Sequence, residues 1–253
     1  MLEIKNLSFR YSRHAPMVLD GADLTLPDGE IGVLLGKNGA GKTTLFQIVL
    51  GILKPAGGTV RFDGTDLLAC SRRARAQRIA YVPQGIAFGA LSVYDTVLTG
   101  RIARFAFAPG KEDRAATERI LEDMQLSALA ARGVDTLSGG ERQKVAIARA
   151  LVQEPGMLIF DEPTANLDLQ NEQLILAEAK KAARERGVGI LTSLHDLDQA
   201  LTFGDRFFFL KDGRIRYAGG REIVNAETVR EIFGANVRVV EIDGETHIIN
   251  GGV

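Results

Sequence analysis

The stretch Gly36-Lys-Asn-Gly-Ala-Gly-Lys42-Thr43 constrains this chain more than any other part of it. It fits the spacing G-x-x-x-x-G-K-[ST]. The apolar run Ile31-Gly-Val-Leu-Leu35 precedes it, and a helical pattern follows with Leu45, Ile48, Val49 and Ile52 on one face. Five apolar residues in a row read as a short strand buried on both faces, as in a parallel sheet. A strand, a glycine-rich loop and a helix in that order form a cradle for phosphate. The glycines let backbone N–H groups turn inward, and the helix start adds the positive end of its dipole. In this reading Gly36, Asn38, Gly39, Ala40, Gly41 and Thr44 border the phosphates. Lys42 reaches the terminal phosphates, and the Thr43 hydroxyl ligates Mg²⁺, an ion that prefers few protein ligands alongside phosphate oxygens.

A metal held at a phosphate needs a second protein oxygen. The run Met157-Leu-Ile-Phe160 followed by Asp161 and Glu162 supplies it: a buried strand with two acids at its carboxyl end, where open α/β sheets bind ligands. Asp161 is expected to hold the magnesium shell. Consecutive strand side chains alternate, so Glu162 points elsewhere and is the candidate for polarising an attacking water.

Further strand patterns recur at Leu2 to Phe9, around Leu24 and Leu26, at Thr59 to Phe62, Ile79 to Val82, Val188 to Leu194, Arg206 to Leu210 and Arg214 to Ala218, with a last hairpin about Asp243-Gly244. From about Gly85 to Pro155 the texture changes. Strand signals nearly vanish, and Val93 to Leu98, Arg114 to Met124 and Glu141 to Val152 read as helices. A further helix is expected at Gln173 to Arg184 and another at Glu227 to Phe233. Strands alternating with helices imply a mainly parallel α/β sheet. The expected organisation is one domain over 1–253, with a core of 1–84 and 156–253 and a helical subdomain at about 85–155.

Composition narrows the function further. With 31 Lys plus Arg against 32 Asp plus Glu, the net charge is −1, which argues against general nucleic-acid binding. One cysteine excludes an internal disulfide framework and a multi-cysteine metal site. No apolar stretch approaches the ~20 residues of a membrane span, and Met1 to Arg10 lacks the apolar run of a signal peptide.

Leu137-Ser-Gly-Gly-Glu141 lies upstream of the strand bearing Asp161. Ser138 and Glu141 form an S-x-x-E capping box at a helix start. A phosphate loop, this pentapeptide and an Asp-Glu strand in this order resemble the ATP-binding-cassette ATPases, the nucleotide-binding subunits of transporters. The resemblance covers nearly the whole chain. It implies an α/β fold of the P-loop NTPase type, with a mainly parallel core, an N-terminal antiparallel β element and a helical insert. It implies ATP and Mg²⁺ as ligands, and a homodimer in which each ATP lies between one subunit's phosphate loop and Ser138, Gly139 and Gly140 of the other. Gln84 resembles the glutamine that senses magnesium and water, and His195 the histidine that contacts the γ-phosphate. Asp168, in Ala165-Asn-Leu-Asp168, resembles the loop that couples the two active sites, and Tyr11 the aromatic that stacks on adenine.

A single cassette without a membrane span needs two integral-membrane permease subunits, docked near the Gln84 loop and the helical insert. An extracytoplasmic substrate-binding protein is then an indirect partner. The implied place is the cytoplasmic face of the inner membrane, as a peripheral subunit. The segment Leu91 to Arg101, the run His195 to Ala200 and the tail Arg221 to Gly234 are similar to importer ATPases for iron siderophores, haem, cobalamin and other metal chelates. The alternative is a soluble, non-transport cassette ATPase of the cofactor-assembly or repair type.

Overall fold

The computed structural model describes residues 1–85, 88–164, 169–242 and 245–250. In chain order the elements are β1 (Leu2–Phe9), β2 (Leu19–Leu26), β3 (Ile31–Leu35), α1 (Lys42–Val49), β4 (Gly57–Phe62), β5 (Thr65–Asp66), α2 (Arg72–Ala76) and β6 (Ile79–Val82). There follow α3 (Val93–Leu98), α4 (Lys111–Asp123), α5 (Gly139–Leu151), β7 (Met157–Asp161), α6 (Leu169–Arg186), β8 (Gly189–Ser193) and α7 (Leu197–Phe203). The chain ends with β9 (Arg206–Lys211), β10 (Arg214–Gly219), α8 (Ala226–Phe233), β11 (Val237–Ile242) and β12 (Glu245–Asn250). Two compact units result: residues 1–70 with 189–253, and residues 71–188.

The first unit carries an antiparallel sheet in the order β2-β1-β4-β5. In β1 the buried residues are Leu2 and Ile4, then Leu7 and Phe9, so the alternation slips by one. The register of β1 against β2 shifts between Ile4 and Leu7, where Asn6 has φ 50, a bulge that turns the following side chains over. Beside that sheet, β3 pairs in parallel with β8 and with β9, and β10 closes on β9 antiparallel. All five residues of β3 and of β8 are buried, as unbroken apolar runs require. Phe207, Phe208 and Phe209 are buried in the core. Asp63-Gly64 and Asp212-Gly213 each form a two-residue hairpin loop with positive φ at both residues, the turn that matches strand twist.

One sequence expectation fails here. The sequence pattern sets Ile52 on one helix face with Leu45, Ile48 and Val49, yet α1 ends at Val49 and Ile52 is 63% exposed. Gly51 takes φ 66, the left-handed conformation that stops a helix, and swings the chain outward before Ile52. The helix α7 had no clear sequence signal. Its seven residues are too short for periodicity to show, and its mark is the N-cap Asp196, whose side chain accepts from the Gln199 N–H. The β11–β12 hairpin is fastened to this helix, since the Ile248 N–H donates to Asp198 Oδ1 at 2.6 Å.

In the second unit β6 and β7 pair in parallel, in register Tyr81↔Ile159 and Val82↔Phe160. The rest is helical; the expected insert at 85–155 lies within this unit, and its described residues add only an isolated bridge between Ser92 and Gly133. The unit contains a buried ion cluster. Arg101 Nε lies 2.9 Å from Asp113 Oδ1, and its guanidinium also meets Glu154 and the Val152 carbonyl. Burial works against the charge of Arg101, but Glu154 and Asp113 outweigh it and raise the pKa. Removing one partner strands the other in a dry site. Arg101→Ala is therefore expected to cost about 3 kcal/mol of folding free energy, read as a lower urea midpoint. An unchanged midpoint would show the cluster to be ornamental. Among the described residues no helix is long and apolar enough to cross a membrane.

Candidate active site

The phosphate loop occupies the turn between β3 and α1 in the first unit. Gly41 takes φ 107 as the residue before α1, and no side chain caps that helix. Only glycine adopts such a φ without strain, and the first-turn N–H groups are thereby left for an anion. Lys42 is 6% exposed, and its Nζ donates to the carbonyls of Gly36 at 2.9 Å and Lys37 at 3.3 Å. Its ammonium is thus folded back along the loop. Asn38 and Gly39 are exposed on the crest of the loop, Ala40 is half-buried, and Thr43 is exposed in the first turn of α1. Thr44 is buried, and its hydroxyl lies 3.0 Å from Tyr11 Oη. Tyr11 is 64% exposed and stands edge-on to Phe9, with ring centroids 5.0 Å apart. That leaves a broad ring face open above the start of α1. His195 follows β8 and is exposed.

The acids lie in the second unit. Asp161, the last residue of β7, is 4% exposed. Glu162 follows in a left-handed conformation, φ 52, which turns its side chain away from the strand direction. The Gln84 side-chain amide donates to Glu162 Oε2, so these two sequence-selected residues do meet. A third residue, missed by sequence reasoning, joins them. Tyr81 Oη donates to Asp161 Oδ2 at 3.5 Å. Burial, with the adjacent Asp161 charge, pushes the Tyr81 hydroxyl up to about 12, so it keeps its proton. The signal available was positional: Tyr81 and Gln84 sit three residues apart where β6 ends, and β6 runs parallel beside β7.

At the start of α5 the expected capping box is present. Ser138 Oγ accepts from the Glu141 N–H at 3.3 Å, and Glu141 Oε2 accepts from the Ser138 N–H at 2.8 Å. The Ser138 N–H, then its hydroxyl, hold the Glu141 carboxyl below the usual carboxylate range. The two glycines differ. A Cβ on Gly139 would meet nothing within 4 Å, whereas one on Gly140 would lie 2.1 Å from Asn171 Oδ1 of α6. A side chain at Gly140 would therefore have to displace the end of Asn171. Asp168 lies outside the described residues.

A phosphate loop entering an uncapped helix, and a buried acid followed by a second acid at a strand's end, define a nucleotide-hydrolysing α/β protein. The family model for ABC transporters matches residues 19–165. A hemin import ATP-binding protein of Myxococcus xanthus is 40% identical over 234 residues, covering 88% of this chain and 86% of the relative. A structure of the metal-chelate type of ABC transporter, in an inward-facing conformation, superposes with a TM-score of 0.86 at 28% identity over 98% of this chain and 96% of the other. A dimeric ATP-binding cassette bound to ADP and Pi gives a TM-score of 0.74 at 27% identity, covering 87% of this chain and 98% of that one. The chain belongs to the ABC transporter family. It is an ATP-binding subunit and an ATPase.

Proposed function

We propose that this chain powers an importer by pairing with a second copy around ATP and parting after hydrolysis. The cargo is a metal chelate of the haem or iron-chelate kind. The observation that carries the reading is the Lys42 ammonium, held on two loop carbonyls at the uncapped start of α1, a built seat for a triphosphate.

Hydrolysis places water oxygen on the γ-phosphorus and breaks that phosphorus's bond to the bridging oxygen, releasing ADP and phosphate. Positioning and charge neutralisation carry most of such a reaction. Lys42 and the loop N–H groups offset charge on the phosphoryl oxygens. Glu162 accepts a hydrogen bond from the water and orients it, Gln84 holds Glu162, and His195 contacts the γ-phosphoryl group. Tyr11 stacks on adenine.

The residues present fit magnesium. Magnesium takes few protein oxygens together with phosphates, and the exposed Thr43 hydroxyl at the start of α1 and the Asp161 carboxylate at the end of β7 are donors of that kind. Thr43, Asp161 and Gln84 are the oxygen donors proposed for it. When bound, the ion neutralises charge on the phosphate oxygens.

Ser138, Gly139 and Gly140 are assigned to the partner copy's ATP. The exposure of Ser138 and Gly139, with open space beyond Gly139, supports this. ATP bound in this way favours the paired state over separate copies, which is what lets a ligand drive a motion. Asp168 is proposed to couple the two sites.

The permease contact is assigned to the second unit, at the cytoplasmic face of the membrane. A groove of about 600 Å³ there is lined by Arg72, Arg73, Arg149 and Ile102 among others. Its basic and apolar walls suit an acidic, amphipathic segment. An extracytoplasmic binding protein delivers the cargo.

Ser138→Arg tests the pairing. With ATP and EDTA, so that cleavage cannot occur, the unaltered chain is expected to double its mass in light scattering, whereas the variant stays single with unchanged ATP affinity. A variant that pairs normally would remove Ser138 from the interface.

A further inference from the structure

The resemblance gives Gln84, two residues past the end of β6, a role beside magnesium and water. The structure brings two residues of this segment to the acids. Gln84 meets Glu162, and Tyr81, three residues earlier, meets Asp161. Each of the two acids thus meets a donor from residues 81–84. The fit is set by the parallel register, in which Tyr81 lies beside Ile159, two residues before Asp161.

At 3.5 Å the contact is a long one, set in a largely dry place. Asp161 is 4% exposed, so water contributes little to holding its carboxylate. Such a carboxylate is oriented by neighbouring donors. The other edge of Tyr81 lines the groove with Ile79, Arg149 and Ala150. Its ring is therefore part of the groove wall while its hydroxyl faces the acid.

We propose that Tyr81 is a positioning residue that holds the Asp161 carboxylate in the orientation which accepts the divalent ion of the ATP complex. The inference rests on the assignment of Asp161 under the proposed function. Outer donors to metal-binding carboxylates fix their direction and commonly alter metal affinity when removed. Tyr81→Phe deletes the hydroxyl alone and leaves the ring in the groove wall.

The probe is Mn²⁺, titrated by its electron paramagnetic resonance signal onto the full chain saturated with ATP on ice. The unaltered chain is expected to bind it. Tyr81→Phe should weaken Mn²⁺ binding about three- to tenfold, while ATP affinity in EDTA moves by less than about twofold. The Gln84→Ala chain serves as a comparison, since it leaves the Tyr81 contact in place. In a double-mutant cycle, Tyr81→Phe added to Asp161→Asn should cost nothing further, because the hydroxyl acts through that carboxylate. Equal Mn²⁺ affinity for Tyr81→Phe and the unaltered chain overturns the proposal. So do additive losses in the cycle, which would mark Tyr81 as packing only. If the unaltered chain with ATP binds no Mn²⁺, or if Asp161→Asn binds it as well as the unaltered chain does, the assignment of Asp161 falls and this inference falls with it.

Discussion

Glu162→Gln is expected to slow ATP turnover by roughly a hundredfold or more, the range that a positioned general base contributes, while ATP still binds. The amide matches the carboxylate in size, so the left-handed backbone at φ 52 and the contact from Gln84 can both persist. What is lost is the negative charge that draws a proton from water. With cleavage blocked and ATP bound, the paired form should accumulate. Single-turnover release of phosphate and sedimentation in the presence of Mg²⁺ and ATP read the two consequences separately. Turnover within threefold of the unaltered chain would transfer the role from Glu162 to another residue.

The second large effect belongs to Lys42→Ala. The Lys42 ammonium is buried and held by the Gly36 and Lys37 carbonyls at 2.9 and 3.3 Å. Truncating one member of a desolvated charge pair costs about 2 kcal/mol or more, which is roughly thirtyfold in affinity. The loop carbonyls would also lose their cation and face the phosphates directly. Calorimetric titration with MgATP measures the loss. Affinity within threefold of the unaltered chain would mean that the loop N–H groups and the helix dipole suffice alone.

The sequence made the phosphate loop legible because its chemistry is local. Eight consecutive residues carry the glycines, the lysine and the threonine, and no distant contact is needed to recognise them. The Asp161-Glu162 pair was legible for the same reason, as was the Ser138–Glu141 capping box. Residues whose meaning depends on neighbouring strands were not. Tyr81 looks like an ordinary strand aromatic until β6 is laid parallel to β7. The closeness of Gly140 to Asn171 is hidden until α6 is placed against α5. The Asn6 bulge and the stop at Gly51 have the same character, since each depends on one residue's φ and leaves almost no trace in hydrophobic periodicity.

The backbone at Glu162 carries a historical consequence. A residue with a side chain pays in conformational strain to stand at φ 52, and glycine or asparagine stands there more easily. Selection for chemistry is what would keep an acid at such a place. In a duplicated copy of this chain released from burning fuel, this position should be among the earliest to drift, and toward Gly or Asn first.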